Sequence, residues 1–410
     1  MKKLFALALC VMMLLVSVSA LADIVICQNK VEITEAMQEY AKLYTEKTGV
    51  DVKVITGGGS SDYNTVLKAE MQSGREPDIW VIEGKSGYDL WKDKIADQTG
   101  AEWTKYTGSA YLDGDKVVGF PVSIEGYGLA YNKSILDKAG IDPATLTNVD
   151  ALTAAFEKLD SMKAELGLDM VVSMVAGTTT GMTWVTGLHN FNVYLASGLE
   201  RGDSTIIDKV LAGEVDEARF HDYCQYVALL FKYSTQDMLL NGTQDSQLAA
   251  FANGKAAFYH QGNWMDPNLV KLSPDFEIGY APHAFLHEDT DGILVDAPSW
   301  YVVNVNGNVQ EAIDYLNSLP LTEEGVDYML NKAGMFVAFN NVESKSDLPL
   351  TKAVIDWFNA GKTYSWQQYK LPDGFGMGTL GQYYELLAQE VIDVDTFEIM
   401  MKAAIADIAK

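Results

Sequence analysis

The chain has 410 residues, is 48% hydrophobic and carries a formal net charge of −26. So acidic a chain excludes nucleic acid and anionic membrane surfaces as partners. Its apolar content and dispersed acids exclude disorder, and its length calls for two domains rather than one core.

Residues 1–22 have the form of a secretory signal peptide. Lys2 and Lys3 precede an apolar run over 4–18, and Ala20-Leu21-Ala22 is a small-residue cleavage site before Asp23. No cysteine is placed for a lipid anchor at the cut. Removal leaves 388 residues with a charge of −28. No later run approaches the roughly 18 apolar residues of a membrane span, so an extracytoplasmic protein is expected. Cys27 and Cys224 permit a disulfide without implying one.

Residues 24–27 read as a strand. Over 32–48, Ile33, Met37, Tyr40, Ala41 and Tyr44 recur at helical spacing, with Gly49 as the stop. Val50, Val52 and Val54 alternate with polar residues as a second strand. A helix over 63–73 and a strand over 78–82 follow. This alternation predicts a parallel α/β sheet, whose ligands sit beyond the carboxyl ends of its strands. Those ends are Gln28-Asn29, 57–61 and 83–87.

Residues 119–133 (GFPVSIEGYGLAYNK) place Glu125 between two apolar runs and beside Gly126 and Gly128. Glycines permit close approach of backbone or ligand, and the stretch suits a chain passing from one lobe to another. A strand with a turn and a surface Glu is the plainer reading. Asp113-Gly114-Asp115 reads as a hairpin turn. The pattern is mostly helical from 134 to 271, with an apolar interruption at 170–175. Strands are expected at 276–280, 293–295, 301–305 and 335–339, with helices over 309–319 and 326–333. The tail ends in helices over 380–390 and 395–408, the last with Asp395 and Glu398 spaced as a capping box. Strands returning so late imply that the chain revisits its first domain.

Several fragments together resemble one family. They are Pro77-Asp78-Ile79, the run from Phe120-Pro121 to Tyr131-Asn132-Lys133, and Phe251 through Gly254-Lys255 to Phe258 with Gly262-Asn263-Trp264. Pro274-Asp275-Phe276 to Pro282, Ser299-Trp300 with Val302-Val303-Asn304, and Leu319 with Thr322 and Glu324 complete the set. In this order they resemble the extracellular solute-binding proteins of ABC importers, in the carbohydrate-binding branch (family 1). The resemblance implies an α/β, periplasmic-binding-protein-like fold of two lobes. Three hinge crossings, near 123–126, 295–299 and 334–337, would join the lobes around a cleft. It places 23–123 with 299–335 in a discontinuous N-terminal lobe, and 124–298 with 336–410 in the C-terminal lobe. The implied partners are a carbohydrate, expected to be an oligosaccharide, and the membrane permease subunits of an ABC importer. A monomer is expected, with no cofactor and no metal.

A sugar site needs groups that exchange hydrogen bonds with hydroxyls, and aromatic faces for the ring. Trp264 matches the family's stacking tryptophan, and Glu125 its carboxylate at the first crossing. Glu83 and Lys85 follow the third strand, where the family has an acidic and a basic contact. Trp184, in a loop of small and polar residues, Trp300 at a crossing, Asn263, and Tyr383 of the Tyr383-Tyr384 pair complete the candidates. Each aromatic also has a plain packing reading, and Trp366 stays open. Gln28, Asn29, Ser60 and Asp62 are further polar groups at strand ends.

Other chemistries fit poorly. Residues 57–61 lack the Gly-Lys-Ser/Thr of a phosphate loop. Residues 289–292 form an incomplete calcium loop, and the five histidines lack zinc spacing. Two alternatives to sugar transport remain. One is a secreted glycoside hydrolase using a carboxyl pair such as Glu83 and Glu125. The other is a binding protein for a non-sugar solute.

Overall fold

The computed structural model describes residues 23–58 and 63–410. The expected leader, Ser60 and Asp62 lie outside these residues. β1 (Ile24–Gln28) pairs in parallel with both β2 (Val52–Thr56) and β3 (Ile79–Ile82). The helix Thr34–Thr48 buries Met37, Tyr40, Ala41 and Tyr44, the predicted face. It ends at Gly49 with φ 82°, the left-handed cap that glycine adopts without a Cβ penalty. β4 (Tyr111–Asp113) and β5 (Lys116–Pro121) form the hairpin expected around Gly114. The strands order as β2-β1-β3-β11-β5-β4, and β11 (Trp300–Val303) sits antiparallel between β3 and β5. A strand from residue 300 thus completes the sheet begun at residue 24.

The second sheet is built on β6 (Glu125–Asn132). It includes β7 (Met170–Ser173), β8 (Ala256–Gly262), β9 (Ile278–Ala281), β10 (Ile293–Asp296) and β12 (Thr363–Tyr364). Its order is β12-β10-β6-β8-β7, with β9 also paired to β6. Each sheet has its own apolar core, one around Ile24, Tyr40, Phe120 and Tyr315, the other around Tyr127, Phe156, Tyr223 and Phe397. Cys27 and Cys224 are buried, free thiols, one in each half.

The chain passes between the sheets at 122–124 and again at 297–299. The two passages are tied together, since Val122 N donates to Ser299 O at 3.0 Å. A third segment lies alongside, where Ile124 N donates to Phe336 O at 2.7 Å. The strand expected at 335–339 is reduced to this one bridge. Its neighbouring amides turn elsewhere, Met335 N to Met329 O (2.8 Å) and Val337 N to Ser344 Oγ (3.2 Å). Packing does not change sides at 335/336 either. Phe336 joins Val295 and Val354 on the second sheet, but Val337, Phe339 and Val342 pack in the first core. The last helix, Val394–Asp407, is capped by Asp393 rather than Asp395. The Asp393 carboxylate accepts Thr396 N at 2.9 Å, so a single side-chain cap two residues earlier stands where the box is expected.

Candidate functional site

A cavity of about 1140 Å³, open to solvent, lies between the two sheets. The first half lines it with residues at the carboxyl ends of β1 and β3: Asn29, Lys30, Glu32 and Glu83, with Tyr63 and Asn64 from the neighbouring helix. The second half supplies Glu125, Trp184, His189, Gln244, Trp264, Tyr369 and Met377. Strand ends converge there because parallel strands open into loops on one edge of the sheet.

The charged side of the cavity is acidic. Glu125 is buried, ion-paired to Lys30 and bonded by Ser123 Oγ at 3.0 Å. Glu83 accepts Asn29 Nδ2 at 2.9 Å. Burial pushes the Glu83 carboxyl up to about 7, with Lys30 pulling it down and Glu125 pushing it further up. Burial likewise raises Glu32 to about 7 against the pull of Lys30. Burial alone would lower the Lys30 ammonium, but Glu125, Glu32 and Glu83 hold it above its ordinary value. One cation therefore serves three carboxylates.

These shifts predict a pH effect. A carboxyl with a folded-state pKa of about 7 and an ordinary value of 4.5 keeps its proton longer in the folded protein. Its contribution is most favourable at low pH and is lost as pH rises from 4.5 through 7. Glu83→Gln should therefore raise the thermal stability of the ligand-free protein at pH 8 by about 1 to 2 kcal/mol, allowing for solvent screening. The gain should vanish near pH 4.5, as melting curves of both proteins across that range would show. A gain of equal size at every pH would contradict it.

The opposite wall is aromatic. The Trp264 ring centroid lies 5.0 Å from His189 and 6.2 Å from both Trp184 and Tyr127. Its Nε1 donates to Gln261 Oε1 at 3.0 Å. The ring lies across Gly262, where any Cβ would overlap it. Tyr369 stacks near Trp366, with centroids 6.1 Å apart, and its hydroxyl reaches Glu83 at 3.5 Å. Trp184 precedes a π-helical segment, Val185–Asn190, that carries Leu188 and His189. A second π segment, Phe375–Leu380, carries Met377 and packs on the first. Burial holds the His189 imidazole well below its ordinary value, so it faces the cavity neutral.

The structure brings Glu83, Glu125, Trp184 and Trp264 together on the cavity. It does not bring the other four. Lys85 is exposed and paired with Asp89, because the helix Gly84–Trp91 turns it outward. Asn263 is buried, and its Oδ1 accepts Gly126 N at 2.9 Å, bracing the first passage. Trp300 packs in an apolar cluster with Trp80, Ile82 and Val302, with its ring 5.1 Å from Tyr111 and Nε1 donating to Ser109 O at 2.7 Å. Tyr383 packs against the second core, and Tyr384 is fully buried with its hydroxyl on Tyr223. Of the weaker polar candidates, Asn29 lines the cavity, while Gln28 is buried and bonds Thr56 Oγ1 at 2.7 Å. Lys30, Glu32, His189, Gln244 and Tyr369 were not anticipated. Lys30 follows Asn29 directly at a strand end, and Glu32 lies two residues further in the 3₁₀ turn Val31–Ile33; nearness to that strand end is the available signal for both.

Two α/β sheets joined by adjacent passages, with a cavity lined from both, define a two-lobed solute-binding architecture. Comparison with known proteins agrees. Residues 39–353 match the family model for bacterial extracellular solute-binding proteins, and the chain belongs to this family. The family is one of solute-binding proteins and not of enzymes. The melibiose/raffinose/stachyose-binding protein MelE of Bacillus subtilis is 23% identical over 362 residues, 82% of this chain and 79% of its own. A sugar transporter protein of Bacillus licheniformis, solved with stachyose, superposes with a TM-score of 0.73 at 17% identity. That match covers 94% of this chain and 100% of the other. A chitin oligosaccharide binding protein gives 0.74 at 15% identity, covering 94% and 98%. These structures share the fold. Among the described residues, no helix is long and apolar enough to cross a membrane.

Proposed function

We propose that the protein binds a carbohydrate in the cavity between its lobes, outside the cytoplasm, and delivers it as a monomer to the permease of an ABC importer. The observation that carries this reading is the pairing of Trp184, Trp264 and Tyr369 with Glu83, Glu125, Asn29 and Gln244 around one cavity. Sugar rings present weakly apolar faces to the first group and hydroxyls to the second. Glu83, Glu125, Trp184 and Trp264 are the proposed contacts named from sequence, joined by Tyr369. We place 23–121 with 300–342 in one lobe and 125–296 with 349–410 in the other. Closure on the ligand is a hinge motion of these lobes. The sugar-binding names of MelE and of the solved relatives support the ligand class.

A positively charged solute is the second reading, favoured by three carboxylates around Lys30. A thermal-shift panel separates the two, since a ligand raises stability by RT ln(1 + [L]/Kd). The protein lacking residues 1–22 should be stabilised, saturably and without product formation, by at least one neutral glycan. Stabilisation only by amines or polyamines would replace this reading with the second. Release of shorter sugars would replace it with hydrolysis.

A further inference from the structure

The five histidines divide by environment. His221 and His287 are exposed, each on a carboxylate, Glu398 at 2.8 Å and Asp150 at 3.0 Å. His189, His260 and His283 are buried around the Tyr127 ring, with centroids 4.8, 6.0 and 6.1 Å from it.

Tyr226, His283 and His260 form a hydrogen-bonded line through the second core. The Tyr226 hydroxyl lies 2.7 Å from His283 Nδ1, His283 Nε2 lies 2.8 Å from His260 Nδ1, and His260 Nε2 lies 3.3 Å from Val185 O. The last contact fixes the protons of the whole line. A carbonyl only accepts, so His260 Nε2 carries hydrogen. Neutral His260 then accepts at Nδ1, His283 donates from Nε2, and Tyr226 donates to His283 Nδ1. All four ring nitrogens are satisfied in this arrangement, as buried polar atoms normally are. The line ties the helix Glu217–Lys232, the segment after β9, and β8 to the π segment Val185–Asn190.

The π segment brings Leu188 and His189 to the cavity, and Trp184 stands just before it. Two of its carbonyls are held by side chains: Val185 O by His260, and His189 O by the Tyr127 hydroxyl at 2.8 Å. Taking the cavity as the ligand site, we propose that His260 and His283 are positioning residues. With Tyr226 they hold the π-helical wall in its binding place, and acid releases the wall and the ligand with it. A proton on His283 turns the Tyr226 hydroxyl into an acceptor and leaves a buried charge. A proton on His260 Nδ1 as well sets two N–H donors against each other across 2.8 Å. The titratable neighbours of the two rings are Tyr127, Tyr226 and His189, and Lys30 acts on His189 from the other half. Among the described residues, no carboxylate acts on the charge of either ring. Burial therefore governs, lowering His260 to about 4 and His283 well below its ordinary value, while the Val185 and Gly128 carbonyls pull them back up. With folded-state values below 6.5, the neutral line is at full strength above pH 6.5 and is lost as pH falls from there through 4.

Glu32 and Glu83 titrate nearby on the opposite wall, so the first test is free of ligand. It is amide hydrogen exchange of the mature chain, corrected for the intrinsic pH dependence of exchange. Between pH 6.5 and pH 4, exchange in residues 185–190 should rise at least tenfold while β6 stays protected. His260→Gln keeps a donor for Val185 O without a titrating ring and should hold the rise below twofold. Tyr226→Phe removes the donor to His283 Nδ1 and should move the rise to higher pH. Calorimetry at pH 6.5 with raffinose, stachyose and chitin oligosaccharides is the second readout. His260→Leu should weaken the sugar that binds at least tenfold, and His260→Gln should recover most of that loss. No rise, an equal rise in His260→Gln, or a rise spread evenly over β6 and β8 overturns the positioning role, as does unchanged affinity in His260→Leu. The expected exchange pattern without binding of any of these sugars overturns the carbohydrate reading and leaves the histidine line standing.

Discussion

Gly187→Ala should lower the thermal unfolding midpoint of the ligand-free protein by roughly 6 to 12 °C, from an overpacking cost of about 3 kcal/mol. Gly187 lies in the π segment Val185–Asn190, and Gly376 in the π segment Phe375–Leu380. A Cβ on Gly187 would overlap the Gly376 carbonyl oxygen, and one on Gly376 would come within 2.6 Å of the Gly187 oxygen and of Leu188 Cδ2. The obstacle is backbone on both sides, which cannot rotate away as a side chain would. The two segments must separate, and they carry Leu188, His189 and Met377 to the cavity. Val185, at the start of the first segment, is further fixed by His260 Nε2 on its carbonyl at 3.3 Å. Ligand affinity should fall along with stability. Gly378→Ala, in the same second segment but with open space around its Cβ position, is the control and should melt nearly as the unsubstituted protein does. An unchanged midpoint for Gly187→Ala would show that the two segments are not held in this contact.

The parts of the fold that sequence made legible are those with local periodicity. The face Met37, Tyr40, Ala41 and Tyr44 and the alternation of Val52 and Val54 with exposed Lys53 record burial directly in residue spacing. The site was legible where a side chain's direction follows from a turn, as with Trp264 after Gly262. It was not legible where direction depends on a distant partner. Trp300 stands at a passage, but it packs beside Gly119 and Tyr111 in the cluster around Trp80 and Val302 and does not line the cavity. Asn263 is polar and near the cleft, yet its amide is taken by Gly126 N from a strand 137 residues away in sequence. Tyr369 and Gln368 lie in a short 3₁₀ turn with neither helical nor strand periodicity. Nothing in their own sequence neighbourhood shows that they meet Glu83 and Gly84 of the opposite lobe.

Trp264→Ala should weaken sugar binding at least tenfold, about 1.4 kcal/mol, and Trp264→Phe should recover most of that loss. The Trp264 ring is only partly buried, flanked by Trp184 and His189, and so keeps a face toward the cavity. Stacking needs a flat ring held in one orientation. Here the Nε1 bond to Gln261 and the absence of a Cβ at Gly262 fix that orientation before any ligand arrives. A preorganised ring loses little entropy on binding, so more of its contact energy appears as affinity. Phenylalanine keeps a stacking face and loses the Gln261 bond, which separates the ring's contribution from the bond that positions it. Gln261 also donates to Gln247 Oε1 at 3.0 Å, so the strand beneath stays tied in both variants. Titration calorimetry at fixed pH reads the difference. An unchanged Kd for Trp264→Ala would remove this ring from the binding wall and shift the aromatic contact to Trp184 and Tyr369. A loss of equal size in Trp264→Phe would assign the effect to the Gln261 bond rather than to the face of the ring.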